Sequence, residues 1–393
     1  MIAFAVCLAL AADPNLNAAI ETLRAVGKEG KGNVEASKAW KVVADAPASE
    51  LPTLLAAFDG ANPLAMNYLQ SAVDAVVEKK RAEVSLDQVD AFLKDVKHAA
   101  TARRLAFDIL TRLDPKRKAP LLESLLNDPA AGLRRDAVQV LLDRADAAEK
   151  AGKKDEATKT YQEALQFIRD HDQVEATVGK LRKLGVPMDL ARQFGFITRW
   201  KIIGPFENHN STGVDVEYPP EKSLDFSAEY DGKVGKVRWK DYVTDDDVGH
   251  VDLCAFYDIN YRGSITYAAA TFISDKEQDV EIRLSSLVTW KLWLNGEKLF
   301  ERRESHAGYE IDQYKIPAHF KKGENVILLK TCQNMQEEVW AQDWKFAARI
   351  TDAIGTPILA ADRPAAKPSL GKPAPQQPKT YKKVGAKTPD AKK

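Results

Sequence analysis

The chain is poor in cysteine, carries no net charge and has no apolar run long enough to cross a membrane. Its three cysteines, Cys7, Cys254 and Cys332, are spread over 393 residues, too few for a disulfide scaffold. Cys254 and Cys332 both fall in strand-like runs, and they are either a pair or two separate buried thiols. Lys+Arg and Asp+Glu both number 57, so the formal net charge is zero. That balance argues against a whole-molecule attraction to nucleic acid or to an anionic membrane. No segment approaches the ~20 apolar residues of a transmembrane helix, so no membrane span is expected. Chemistry-bearing patterns are also missing. The histidines, His98, His171, His209, His250, His306 and His319, show no metal-ligand spacing. There is no Gly-x-Ser-x-Gly elbow and no phosphate-binding glycine loop. The expectation is a protein that is not an enzyme and that needs no cofactor.

What is present divides the chain into four parts. Residues 1–11 contain the apolar run Ile2 to Leu10, with small residues at Ala9 and Ala11 around its end and a break at Asp13-Pro14 beyond it. This pattern is that of a secretory signal cleaved after Ala11, which places the mature protein in the periplasm or outside the cell. No basic residue precedes the run. If the segment is instead an ordinary first helix, the protein is cytoplasmic.

Residues 13–190 are rich in Ala, Leu, Lys and Glu, and only Trp40 of the seven tryptophans precedes residue 200. Apolar residues recur at helical spacing, as in Leu121, Leu122, Leu125 and Leu126. Small-plus-apolar pairs recur at Ala72-Val73, Ala106-Phe107 and Ala137-Val138, each preceded by another apolar helix. A helix pair cannot bury its apolar stripe alone, so repeated pairs predict a stacked solenoid. Leu125-Leu126, Asp128-Pro129, Arg134-Arg135, Ala137 and Leu141 resemble a HEAT-type repeat. Gly152 to Ala157, with Tyr161, Ala164 and Leu165, resembles one tetratricopeptide-type pair. The resemblance implies a protein partner. Arg103-Arg104 and Arg134-Arg135 either line the binding face or belong to a solvated helix surface.

Near Phe196 the period changes to two. Ile265, Tyr267, Ala269, Thr271 and Ile273 alternate with Thr266, Ala268, Ala270 and Phe272, and similar runs follow. These predict an antiparallel β-sandwich over residues 196–356. Asn295-Gly296, flanked by Trp293-Leu294 and Leu299-Phe300, predicts a tight hairpin. The order Trp200-Lys201-Ile202-Ile203-Gly204-Pro205-Phe206, Tyr218-Pro219-Pro220-Glu221, Trp293-Leu294-Asn295-Gly296 and Gly323-Glu324-Asn325 resembles a galactose-binding-like jelly roll. It is similar to the sugar-binding domain of family 2 glycoside hydrolases, which implies a carbohydrate ligand. Trp293 is the candidate ligand-binding residue, and core filling is its alternative role. Related domains carry an acidic pair before this hairpin strand, where this chain has Leu287-Val288. Asp245, Asp246 and Asp247 form a candidate Ca²⁺ site or a solvated loop.

From residue 362 to 393 the chain turns rich in Lys, Pro and Ala and reads as a disordered basic tail. It is a tether to an anionic polymer or a solvated extension. The fold class is thus multidomain α + β: an α-solenoid, an antiparallel jelly roll and a tail. The functional expectation is a non-catalytic bacterial-envelope protein for binding or scaffolding. Two alternatives are an accessory carbohydrate-binding subunit of a polysaccharide-degrading system, and a hydrolase assembling distant residues such as Asp312, His306 and Arg302.

Overall fold

The computed structural model describes residues 14–370, apart from 258, 306–307, 339–340 and 342, and the backbone of residues 382–383. The signal-like segment therefore lies outside the described residues. The protein is mixed, with helices first and antiparallel sheets after them. Its contacts divide it into two units, Met1–Asp170 and His171–Lys393.

The first unit contains α1 (Pro14–Arg24), α2 (Asn33–Ala44), α3 (Leu51–Ala56), α4 (Pro63–Lys79), α5 (Leu86–Lys94), α6 (Ala100–Leu113), α7 (Lys118–Ser124), α8 (Ala131–Lys150) and α9 (Lys154–Phe167). Local chemistry sets the ends. The Asn62 side chain accepts hydrogen bonds from the Leu64 and Ala65 amides at the start of α4, and Pro63 takes the first helical position. Packing partners lie close in sequence: α1 on α2, α2 on α4, α3 and α5 on α6, α6 on α8, α8 on α9. One apolar cluster runs from Leu16 to Ala137 and includes the repeated alanines Ala72 and Ala106.

The two arginine pairs split. Arg103 is 1% exposed and Arg134 4%, so neither belongs to a solvated surface. Each stands three residues before a core alanine, Ala106 or Ala137, and helical spacing turns it to the same inward face. Arg103 forks onto Asp128 and donates to the Leu93 carbonyl, and Arg134 donates to the Asp128 carbonyl. Arg104 faces outward and pairs with Asp108 and Asp136.

The second unit opens with α10 (His171–Lys183) and α11 (Leu190–Gln193). There follow β1 (Arg199–Glu207), α12 (Pro219–Lys222), β2 (Glu229–Gly232), β3 (Gly235–Arg238), β4 (Lys240–Val243), β5 (Val251–Asp252), α13 (Leu253–Tyr257), β6 (Ile259–Asn260), β7 (Ser264–Ser274), β8 (Gln278–Ser286), β9 (Val288–Leu294), β10 (Glu297–Ser305), β11 (Tyr314–Phe320), β12 (Gly323–Gln333) and β13 (Lys345–Thr351). One sheet has the order β10-β9-β12-β7-β1-β4 and another β11-β8-β13-β5, with antiparallel neighbours throughout. Trp200, Ala268, Phe272, Trp290, Leu292 and Ile327 of the first sheet share a core with Ile282, Leu284, Ile316, Phe346 and Ile350 of the second. The β9–β10 turn is the tight hairpin expected, with positive φ at Asn295 and Gly296. Asn295 also accepts from the Val326 amide and bonds the Asn325 side chain. Two motif residues are thereby used on each other.

Residues 362–370, which composition assigns to the tail, are bonded to the β unit. Arg199 pairs with Asp362, Arg363 donates to the Phe196 carbonyl, and Met188 and Ser369 exchange backbone hydrogen bonds. Composition predicts little burial here, and residues 364–370 are indeed exposed. Backbone and ionic bonds to residues 188–199 order them nonetheless. Beyond 370, the described pair Lys382–Lys383 runs parallel to β6.

Candidate functional site

The inner strands β7, β9 and β12 of the six-stranded sheet are buried on both faces along most of their length. Ile203, Phe206, Ile265, Tyr267, Ala269, Trp293, Leu328 and Cys332 point away from the shared core. They are covered by a strap, residues 208–239, whose Val214, Tyr218, Leu224, Tyr230, Val237 and Trp239 pack onto them. The strap starts tightly. A Cβ on Gly213 would clash with the Glu207 carbonyl oxygen.

Charge interrupts this apolar layer along one row. Glu301 of β10, Lys291 of β9, Lys330 of β12, Tyr267 of β7 and Ile203 of β1 stand opposite one another in register. Two lysines directly opposed across a strand pair repel each other. Here both are buried, with side chains 9% and 0% exposed.

Strap groups resolve the conflict. Lys330 Nζ donates to the Val214 carbonyl at 3.0 Å, the Val216 carbonyl at 2.8 Å and Glu221 Oε1 at 2.7 Å. An ammonium has three donors, and all are used. The rings of Tyr218 and Tyr267 flank it, with centroids at 5.4 and 5.7 Å. Tyr267 donates its hydroxyl to the same Glu221 oxygen. Burial, then that carboxylate, pushes the Tyr267 phenol far above its ordinary range. Burial likewise pushes the Cys332 thiol up to about 12. These groups stay protonated at neutral pH and supply no ready nucleophile or base.

The Lys291 end is looser. Its Nζ lies 3.4 Å from Asp215 and 3.5 Å from Glu301. Asp215, on the strap, takes a two-pronged contact from Arg303. Glu301 accepts from Arg303 Nε at 2.7 Å and from Lys298 at 3.2 Å.

Trp293 is 7% exposed and lies in the strap-covered layer, so its ring is packed rather than offered to solvent. The three aspartates between β4 and β5 diverge. Asp246 accepts from the amides of Val248 and His250 and pairs with His250 Nδ1 at 3.1 Å, whereas Asp247 pairs with Arg182 at 2.5 Å. Burial raises the Asp246 pKa, but the His250 contacts and backbone donors outweigh it and hold the carboxyl below its usual range. Among the described residues no group of three or more metal-ligating side chains gathers. Cys254 and Cys332 form no disulfide with each other and lie in different apolar clusters, one in the core shared by the two sheets and one under the strap. Asp312 is half-buried between Arg283 and Arg349, Arg302 pairs with Glu304, and His306 lies outside the described residues. The row Glu301–Lys291–Lys330–Tyr267 was not singled out by sequence reasoning. Its signal was a lysine at an outward position within each of two apolar runs, Trp290–Leu294 and Val326–Cys332.

No family model matches this chain, and neither does any curated protein. Among solved structures it is similar to β-glucosidase from Kluyveromyces marxianus in complex with glucose, at 14% identity and a TM-score of 0.26, over 39% of this chain and 16% of that one. A selenomethionine-labelled structure of β-glucosidase from the same organism gives 14% identity and a TM-score of 0.25, over 39% and 17%. The chain thus spans under a fifth of the length of those proteins.

Proposed function

We propose that the chain is a non-catalytic, exported binding or scaffold protein, with a helical solenoid that engages a protein and a jelly-roll-like β unit that engages carbohydrate or protein. The observation that carries the reading is the state of Lys330. A buried lysine among two tyrosines, a carboxylate and a thiol is the kind of cluster that can host chemistry. Here each donor of the ammonium is spent on the strap, and burial keeps the phenols and thiol protonated. The cluster fastens a surface element in place. In the helical unit, helices packing on near neighbours in sequence support a solenoid reading.

The test is a glycan array and an affinity pull-down with the full chain. Retention of defined sugars, or a partner captured reproducibly and released by competition with purified chain, supports the reading. Turnover of glycosides, abolished by one carboxylate substitution, overturns it. Export rests on the Ile2–Leu10 run and is checked by the mass of the native N-terminus. Removal of residues 1–11 is expected, and an intact Met1 in a cytoplasmic fraction contradicts it.

A further inference from the structure

We infer that Lys291 and Arg303 form a carboxylate-binding site for an acidic peptide segment of a partner protein, and that Asp215 of the strap occupies it as a built-in surrogate. The inference deepens the binding role proposed for the β unit and rests on it.

Three observations carry it. The first is the contrast between the two opposed lysines. Lys330 has three short contacts, whereas Lys291, with a side chain only 9% exposed, has just the two long carboxylate contacts at 3.4 and 3.5 Å. A buried ammonium so weakly held is costly to keep without a better anion.

The second is the geometry of the surrogate. Arg303 meets both oxygens of Asp215 with its two terminal nitrogens, the fork arrangement that selects a planar carboxylate. Both side chains are open to water, at 56% and 66% exposure, and exposed pairs of this kind are held by little. An incoming carboxylate can displace Asp215 without moving the strap, because Lys330 grips the carbonyls of the residues on either side, Val214 and Val216.

The third concerns what brings the carboxylate. The surrogate is itself an aspartate on a peptide. Arg303 also sits on β10, an edge strand of the six-stranded sheet. An edge offers unpaired backbone groups to an extended peptide laid beside it. With Asp215 displaced, Glu301 is the one remaining ion-pair partner of Lys291, Lys298 and Arg303 among the described residues, leaving an excess of positive charge.

The experiment compares the full chain with Asp215→Ala in binding a fluorescent oligo-aspartate peptide, followed by anisotropy at low salt. Loss of an exposed competing pair is expected to tighten binding by roughly fivefold. The gain should disappear in the Asp215→Ala/Arg303→Ala double variant and in high salt. Asp231→Ala removes the same charge from another exposed pair, with Lys236, and should leave binding unchanged. An equal gain from Asp231→Ala, or none from Asp215→Ala, overturns the site. A gain seen only with oligogalacturonate, a carbohydrate carrying the same carboxylate, overturns the peptide assignment. Because the peptide is defined, these outcomes are independent of whether wild-type chain captures a partner in the pull-down.

Discussion

The Lys330 side chain has no exposure to water and is paired with Glu221. Removing the amine leaves two strap carbonyls without their donor, and Glu221, with a side chain 10% exposed, without its ion-pair partner. Breaking a buried pair from one side costs roughly 3–5 kcal/mol. Lys330→Met should therefore lower the melting temperature sharply, and the change should be far smaller when Glu221→Gln is already present. Equal effects in both backgrounds would show that the pair is not coupled. Trp293→Ala should cost roughly 3–5 kcal/mol through lost packing. A variant that melts normally but loses glycan binding would instead place a ligand at this hairpin. Asp312 adds a pH effect. Burial raises its pKa, but the hydrogen bond and charge of Arg349 and the charge of Arg283 outweigh it and hold the carboxyl below its ordinary value. A depressed pKa gives stability that is present above the unfolded value of about 3.9 and is lost as pH falls through the folded value. The gap in melting temperature between wild type and Asp312→Asn should be wide at neutral pH and narrow once pH drops below about 4. A constant gap would contradict the charge pairing.

At the scale of elements, the β9–β10 hairpin gives the cleanest separation of backbone strain from packing. Gly296 has φ +85°, and a Cβ there would meet nothing within 4 Å. Gly296→Val should cost about 1–3 kcal/mol through φ alone, and Gly296→Asn much less, because Asn tolerates the left-handed region. Thermal unfolding of both variants checks this, and equal losses would point to a clash. The hairpin was legible in the sequence because turn chemistry is local. So were the helices and the two-residue period after Phe196, since each periodicity is set by backbone geometry. The buried row was not legible. Lys291 and Lys330 lie on strands joined only through register, and their partners come from the strap, Asp215 from a loop and Glu221 from the four-residue α12, segments too short to show a period. The inward side of Arg103 and Arg134 was readable in principle from their three-residue offset to Ala106 and Ala137. Charge made them look like surface. Residues 362–370 escaped for the opposite reason, since backbone hydrogen bonds and ion pairs leave little trace in composition.

On the scale of the whole molecule, the chain combines helices that pack on their sequence neighbours with a pair of sheets whose outer face is sealed by a strap. Among the described residues no helix is long and apolar enough to cross a membrane. Three groups of charges with little exposure lie in pairs that fix structure: Arg103 with Asp128, Lys330 with Glu221, and Asp312 with two arginines. Such pairs favour a rigid display of surface, which is what a binding module needs. Under the proposed function this surface binds without transforming what it binds. The most direct test is to incubate the full chain with a panel of neutral and acidic oligosaccharides and peptides, recover what is retained, and measure the masses of both retained and free material. The account predicts that a subset is retained and that every mass is unchanged. Shortened or modified products that accumulate with time, or retention of nothing in the panel together with an empty pull-down, would contradict it.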